Sequence, residues 1–221
     1  MGPRPHTREP RRIVATPAEL ADRLRQRLDT STSRLMIGIC GAPGAGKSTL
    51  AEQLAALLGA GTAVVVPFDG FHLATSVLDG TPKLARRGAI DTFDLGSYRS
   101  LIHRLRSHDE DVVYAPSYRR GLEEPIASSI AVPRAVPLVL TEGNYLLADH
   151  PDLRAAREDL DEVWFLDTPH DIRIRQLVAR HVAFGKSEPD AQAWASGTDQ
   201  HNAEQIEATR QSADLIVAVE A

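Results

Sequence analysis

The chain has 221 residues, of which 43% are hydrophobic, and its formal net charge is −5. This length accommodates one domain with a sizeable core, and the acidic balance argues against a general nucleic-acid binder. A single Cys excludes a disulfide framework and favours a cytoplasmic location, and no apolar run approaches the ~18 residues of a membrane span.

The N-terminal segment is rich in Arg and Pro. We expect residues 1–15 to form a flexible tail and residues 16–221 to form one domain. Thr16-Pro17-Ala18-Glu19 is a capping box with Pro at the first helical position. It predicts a helix whose apolar stripe consists of Leu20, Leu24 and Leu28.

Residues 41–48 fit the pattern G-x-x-x-x-G-K-[ST], and they lie between a predicted buried strand (35–40) and a predicted helix (48–58). This is a P-loop, in which backbone N–H groups surround a phosphate, the Lys reaches the β and γ oxygens and the Ser binds Mg²⁺. The predicted nucleotide-binding residues in this stretch are Gly41, Ala42, Pro43, Gly44, Ala45, Gly46, Lys47, Ser48 and Thr49.

A second buried strand is predicted over residues 62–67, and Asp69 follows it. Because ligands of open α/β sheets gather beyond the carboxyl ends of the strands, Asp69 should lie at the same edge as the P-loop. A carboxylate there is able to take a proton from an attacking hydroxyl. The alternative is a turn Asp that caps its own backbone.

Residues 73–95 look irregular and carry a cluster of charges, which is a candidate wall for a substrate or simply a solvated loop. A helix over 95–108 follows. Short strands over 111–116 and 125–132 are predicted to form a small separate sheet, with Tyr118-Arg119-Arg120 between them.

The apolar run 136–143 ends in Glu142, the pattern of a Walker-B strand whose acid serves Mg²⁺ together with Ser48. Further strands are predicted over 162–167 and 214–219. The segment between them contains Arg173, Arg175, Arg180 and Lys186 around a break at Gly185. These basic residues predict a helical lid over about 173–196 that closes on phosphates, and the alternative is a solvated basic helix face.

About five core strands alternate with helices, which predicts an α/β fold with a doubly wound, mostly parallel five-stranded sheet and helices on both faces. The chain resembles small-molecule kinases of the phosphoribulokinase, uridine kinase and pantothenate kinase superfamily over about residues 34–219. The resemblance rests on the P-loop, on residues 67–72 and 141–147, and on the lid. The chain is similar to bacterial nucleoside/nucleotide kinase family proteins, which share residues 180–187 and Asp199-Gln200-x-Asn202-Ala203.

The resemblance implies an ATP- and Mg²⁺-dependent kinase with Asp69 as base, Lys47 and Arg180 on the phosphates, and Ser48 and Glu142 at the metal. Arg175 and Lys186 are further candidates for the nucleotide. The substrate-binding residues assigned on this basis are Asp69, His72, Lys83, Arg86, Arg87, Asp94, Tyr118, Arg119, Glu142 and Asn144.

The chain departs from these relatives after Pro116-Ser117-Tyr118, where Arg119-Arg120 replaces the His of the pantothenate and uridine kinases. A guanidinium suits a carboxylate or phosphate better than a neutral nucleoside. The acceptor is left open among a nucleoside, a sugar and a carboxylated alcohol such as pantothenate or glycerate. A homodimer is one possible assembly.

Two other classes are weighed against a kinase. A regulatory GTPase should carry an N-K-x-D motif and a transport ATPase an L-S-G-G-Q-type signature, and the sequence has neither. A nucleotide-binding regulatory module without kinase activity is the remaining alternative, and the intact Lys47, Ser48, Asp69 and Glu142 argue against it.

Overall fold

The computed structural model describes residues 9–220. The strands are β1 (Arg11–Ala15), β2 (Leu35–Cys40), β3 (Ala63–Pro67), β4 (Val112–Arg119), β5 (Glu124–Pro133), β6 (Leu138–Gly143), β7 (Glu162–Leu166) and β8 (Leu215–Val219). The helices are α1 (Pro17–Thr30), α2 (Lys47–Leu58), α3 (Thr75–Leu78), α4 (Leu95–Ser107), α5 (Pro151–Glu158), α6 (His170–Ala183), α7 (Glu188–Ser196) and α8 (Thr198–Glu207).

The main sheet is parallel and has the order β1-β8-β7-β2-β6-β3. Its two faces are covered by separate apolar clusters, one beneath α1 and α2 and the other beneath α4 and α5. The predicted α/β architecture with helices on both faces is confirmed. The strands β4 and β5 form a small separate sheet, as expected, and they pair in antiparallel fashion. Burial on both faces explains why the central strands consist almost entirely of apolar residues.

The sheet has six strands rather than the five predicted, because Arg11–Ala15 pairs in parallel with β8 at the sheet edge. The expected tail over residues 1–15 is therefore wrong at its C-terminal end, while residues 1–8 lie outside the described part. An edge strand needs only a few apolar positions, and this strand begins with Arg11 and Arg12, so its sequence lacks the apolar pattern that predicts a strand. The predicted capping box is present: Glu19 N–H donates to Thr16 Oγ1 over 3.3 Å, and Thr16 N–H donates to Glu19 Oε2 over 2.8 Å.

The segment predicted as a lid consists of α6 and α7, and the expected break between them is present. Gly185 has φ +94° in the short turn that separates the two helices. The final helix, α8, ends at Glu207, and a separate 3-10 turn covers Arg210–Ser212. Within residues 9–220, no helix has both the length and the apolar composition required to cross a membrane.

Strand register brings three parts of the sequence together at one edge of the sheet. Cys40 of β2 pairs with Gly143 of β6, and Pro67 of β3 pairs with Glu142. The strand order changes direction at β2, which has β6 on one side and β7 on the other. Such a switch point is where open α/β sheets bind ligands, and the P-loop starts there.

Candidate active site

The P-loop runs from the end of β2 into the first turn of α2. Its Gly44 has φ +80°, and a Cβ at this position would lie 2.5 Å from the backbone oxygen of Arg173 and 2.6 Å from Leu177 Cγ. Only glycine combines that backbone conformation with so close an approach. The first half of α6 therefore packs directly on the loop.

Lys47 is 8% exposed, and its Nζ donates to the Ala42 carbonyl oxygen over 3.1 Å. Burial lowers the pKa of its amine, and the neighbouring Glu142 opposes this shift. The loop thus holds its Lys inside the turn, where a phosphate oxygen would take the place of the carbonyl as the acceptor.

The Ser48 hydroxyl donates to Glu142 Oε1 over 3.1 Å. Glu142 is 5% exposed, and burial raises its pKa to about 7; the Asp69 charge acts in the same direction and Lys47 opposes it. Oxygen donors of this kind are what Mg²⁺ prefers. Among the described residues, no group of three or more His, Cys, Asp and Glu side chains is arranged to hold a metal ion. The pair Ser48 and Glu142 therefore fits an ion shared with nucleotide oxygens rather than a protein cage.

Asp69 lies in the 3-10 turn Phe68–Phe71 that follows β3. Its Oδ2 accepts from Arg120 Nη2 over 3.0 Å, and within residues 9–220 it caps no backbone N–H. The turn is fixed by Phe68, which is fully buried and lies 4.8 Å from the Tyr98 ring. Gly143 permits this packing, because a Cβ there would lie 2.4 Å from Phe68 Cβ. Asp69 is thereby held beside Glu142.

These groups line one cavity of about 460 Å³. The predicted site residues that line it are Pro43, Lys47, Ser48, Asp69, His72, Arg87, Tyr118, Glu142, Asn144, Arg180 and Lys186. The lining residues that were not assigned in advance are Leu84, Gly88, Phe93, Arg120, Glu123, His181, Phe184, Trp194, Asp199 and Asn202. The remaining predicted P-loop residues, Gly41, Ala42, Gly44, Ala45 and Gly46, form the loop backbone.

An aromatic group forms one wall next to Asp69. The His72 ring lies 4.0 Å from the Phe93 ring and 4.6 Å from the Tyr118 ring, and its Nδ1 contacts the Asp69 carbonyl oxygen at 2.7 Å. Burial lowers the pKa of His72, so its imidazole is neutral at pH 7. The Tyr118 hydroxyl donates to Glu123 Oε2 over 2.9 Å. This wall offers stacking surfaces and fixed polar groups to a small molecule.

The lid helix α6 is anchored at its start and reaches the cavity at its end. Arg173, 3% exposed, donates to the Pro43 carbonyl oxygen over 3.0 Å and to Gln200 Oε1 over 2.7 Å. Two turns further on, Arg180 lines the cavity, and its guanidinium makes no hydrogen bond or ion pair with any described residue. Burial lowers the pKa of its guanidinium. An unpaired cation over the P-loop is suited to phosphate oxygens.

A second contact ties the end of α6 to α8. His181 Nε2 lies 2.7 Å from Asp199 Oδ2, and both side chains line the cavity. In the turn and helix that follow, Lys186 Nζ lies 4.4 Å from the centroid of the Trp194 ring. The predicted lid over 173–196 is thus fixed to the P-loop at Arg173, and its cavity-facing groups begin at Arg180.

Several assigned residues lie outside the cavity, and the structure corrects them. Arg175 is exposed and pairs with Asp171 over 3.1 Å, on the face of α6 opposite Arg173 and Arg180. Arg119 is exposed at the end of β4, and its neighbour Arg120 takes the place next to Asp69. Thr49 is exposed on the first turn of α2 and does not line the cavity.

Three loop residues assigned to the substrate also have other partners. Arg86 and Lys83 lie 2.6 and 3.8 Å from Asp91 Oδ2. Asp94 caps α4, where its Oδ1 accepts from the Ser97 N–H over 2.9 Å. The charged residues of this loop therefore pair mostly with one another. Of the four that were assigned to the substrate, only Arg87 reaches the cavity.

No protein-family model matches the chain. It is 33% identical over 160 residues to a protein of Schizosaccharomyces pombe named as a putative uridine kinase, covering 69% of this chain and 68% of that protein. It is 32% identical over 124 residues to an Aspergillus versicolor protein named as ATP-dependent kinase-like, covering 53% of this chain and 72% of the other. A solved structure from Silicibacter sp. TM1040, titled a putative fructose transport system kinase, is 38% identical with a TM-score of 0.81, covering 91% of this chain and 98% of that one.

The chain belongs to the P-loop small-molecule kinases. The membership agrees with the resemblance found in the sequence, and it makes the protein an ATP-using phosphotransferase. The cavity beyond the P-loop is the candidate place for an acceptor to meet the nucleotide. Some of the lining residues missed in advance could have been found from the sequence. His181, Asp199 and Asn202 lie in the two stretches shared with related bacterial proteins.

Proposed function

We propose that the protein transfers the γ-phosphoryl group of ATP to a hydroxyl of a small metabolite. The observation that carries this proposal is that Lys47, Ser48, Asp69, Glu142 and Arg180 line one cavity at the carboxyl ends of β2, β3 and β6. Phosphoryl transfer depends mainly on positioning and on charge stabilisation, which such a set of groups provides.

Each group has a defined part in the proposed reaction. Asp69 accepts the hydroxyl proton as the acceptor oxygen bonds to the γ-phosphorus, while the bond from that phosphorus to the β,γ-bridging oxygen breaks and ADP leaves. The P-loop amides and Lys47 hold the β and γ phosphates, and Arg180 neutralises the charge that develops on the transferred group.

Mg²⁺ is the proposed metal, held by Ser48, Glu142 and nucleotide oxygens. When bound, it would shield the phosphate charges. The acceptor class remains a proposal: a nucleoside, a sugar or a carboxylated alcohol. Names of related proteins include a uridine kinase and a fructose transport system kinase, and both support a hydroxylated small molecule.

A cytoplasmic location is also proposed, because a single Cys gives no disulfide framework, which is typical of proteins in a reducing compartment. Cys40 is fully buried, and burial raises the pKa of its thiol to about 11, which fits the packing role predicted for it rather than a nucleophile.

The function is tested by measuring ADP release with Mg²⁺·ATP across nucleosides, sugars, sugar acids and pantothenate, followed by mass spectrometry of the product. A phosphorylated product from one acceptor class supports the proposal. ATP binding without phosphorylation of any acceptor would instead favour the nucleotide-binding regulatory module.

A further inference from the structure

Two arginines that belong to neither the P-loop nor the lid line the cavity. Arg87 comes from the loop before α4, and Arg120 from the turn between β4 and β5. Both lie near Asp69 and the His72–Tyr118 wall, away from the Lys47 end of the P-loop. Their partners indicate what they are suited to bind.

Arg87 is held entirely by neutral oxygen atoms. Its Nη1 donates to the Glu123 carbonyl oxygen over 2.6 Å and its Nη2 to Thr75 Oγ1 over 2.7 Å. Its Nε is buried without a partner, and no carboxylate of residues 9–220 forms an ion pair with it. These contacts fix the plane of the guanidinium, and the Glu123 and Glu124 carboxylates act on its charge without forming an ion pair with it.

Arg120 has a different role, because its one ion-pair partner within residues 9–220 is Asp69. Its side chain is 36% exposed, and it lies at the start of a turn in which the next residue, Gly121, has φ +86°. In this position Arg120 competes with a substrate hydroxyl for the lone pairs of Asp69.

Glu123 is an acidic side chain of the cavity that interacts with the charges of both arginines, and its oxygens already have other hydrogen-bond donors. Its Oε1 accepts from the Gly121 N–H over 3.0 Å and its Oε2 from the Tyr118 hydroxyl over 2.9 Å. It forms no ion pair within 4.0 Å with either Arg87 or Arg120. An incoming anion would therefore find a guanidinium fork without a fixed carboxylate partner.

We propose that the acceptor is an anionic hydroxy compound whose carboxylate or phosphate binds Arg87 and draws Arg120 off Asp69. This inference rests on the proposed kinase function and narrows its acceptor. Binding of the anion leaves Asp69 free to accept the hydroxyl hydrogen, so the same contact selects the substrate and prepares the base. A neutral acceptor leaves the Arg87 charge without a partner and Arg120 on Asp69, and such unmatched groups are an effective way to reject a ligand.

The test compares matched acceptors with Mg²⁺·ATP and the full chain. One arm pairs polyhydroxy acids with neutral polyols of the same carbon skeleton, and the other pairs sugar phosphates with their parent sugars. We expect the anionic member of at least one arm to have a kcat/KM at least about tenfold higher, as for a charge-assisted hydrogen bond. The arm that shows the preference identifies carboxylate or phosphate as the anion.

Two variants and a matched control locate the effect. Arg87→Gln should abolish the anion preference through KM, while Arg86→Gln, which changes the adjacent exposed residue, should retain it. Arg120→Gln should raise KM for the anionic acceptor and reduce the anion preference, because the anion loses its second guanidinium. The inference is overturned if neutral acceptors are equal or better substrates, or if Arg87→Gln keeps the preference; either result leaves the kinase function standing. If no acceptor is phosphorylated, the proposed function fails and the inference fails with it.

Discussion

The Ser48 hydroxyl and the Glu142 carboxylate are joined across 3.1 Å, and they connect the first turn of the P-loop helix to the end of β6. The register that pairs Cys40 with Gly143 brings the two strands to the same edge, where Glu142 is only 5% exposed. A buried carboxyl with one neutral donor is costly to ionise. We therefore expect the Glu142 carboxyl to become fully ionised only when a cation binds beside it.

We predict that Glu142 makes the stability of the ligand-free protein depend on pH. Its folded-state pKa is about 7, raised by burial from an ordinary 4.5. The protonated Glu142 carboxyl therefore stabilises the folded state fully below pH 4.5, and this stabilisation is lost as pH rises through about 7. The free energy of unfolding falls by on the order of 3 kcal/mol over this range. Urea unfolding at several values from pH 5 to 8.5 should show the wild type losing stability relative to Glu142→Gln.

The control for this prediction is Glu52→Gln, an exposed change on the neighbouring helix. Its pH profile should run parallel to that of the wild type. Parallel profiles for wild type and Glu142→Gln would contradict the raised pKa. Adding Mg²⁺·ATP at pH 8 should stabilise the wild type more than Glu142→Gln if this acid serves the metal.

The Asp69→Asn substitution should abolish transfer and leave nucleotide binding intact. The amide keeps the shape of the side chain and cannot take the hydroxyl proton, so kcat with the identified acceptor should fall by roughly 10²- to 10⁴-fold. The affinity for ATP, measured by calorimetry, should stay within about threefold. Asp79→Asn, an exposed change in the following loop, should alter neither quantity. Unchanged turnover in Asp69→Asn would contradict its assignment as base.

The P-loop and the strand ends were predictable because their chemistry is local. A Gly-rich turn between a strand and a helix is complete within a dozen residues, and the parallel register then brings Asp69 and Glu142 to the same edge. The arginines were harder to place. Helical spacing puts 173, 177 and 180 on one face and 175 on the other, so the sequence already contained the reason for excluding Arg175.

The positions of the acceptor-side residues depend on long-range contacts, which no local sequence pattern predicts. The β4–β5 ladder has a register irregularity between Ala115 and Ser117, and the chain then turns after Arg119. Alternation along the strand therefore could not tell which of Arg119 and Arg120 faces Asp69. The pairing of Arg86 with Asp91 and the contact of Arg87 with Thr75 likewise depend on how an irregular loop folds back.

Arg180→Gln should lower kcat far more than Arg175→Gln. Arg180 is unpaired and lines the cavity, whereas Arg175 is exposed and pairs with Asp171 on the same helix. Loss of a guanidinium that stabilises the transferred phosphoryl group is expected to cost about 10²- to 10³-fold in kcat. The Arg175 variant should stay within about twofold of wild type. Equal effects of the two changes in an ADP-release assay would show that Arg180 does not act on the phosphates.

Gly44→Ala should weaken ATP binding through a backbone clash, and Gly80→Ala is the matched control. Both glycines have positive φ, +80° and +69°, so each replacement incurs a left-handed backbone penalty of roughly 1–2 kcal/mol. Around Gly80 no atom lies within 4 Å of the added Cβ, whereas at Gly44 the Arg173 backbone oxygen lies at 2.5 Å. Relief of that contact requires the P-loop or α6 to move, which displaces the amides from the phosphates.

We expect ATP affinity, measured by calorimetry, to fall at least about tenfold in Gly44→Ala and to stay near wild type in Gly80→Ala. Similar affinities in the two variants would show that the packing of α6 on the loop does not control nucleotide binding.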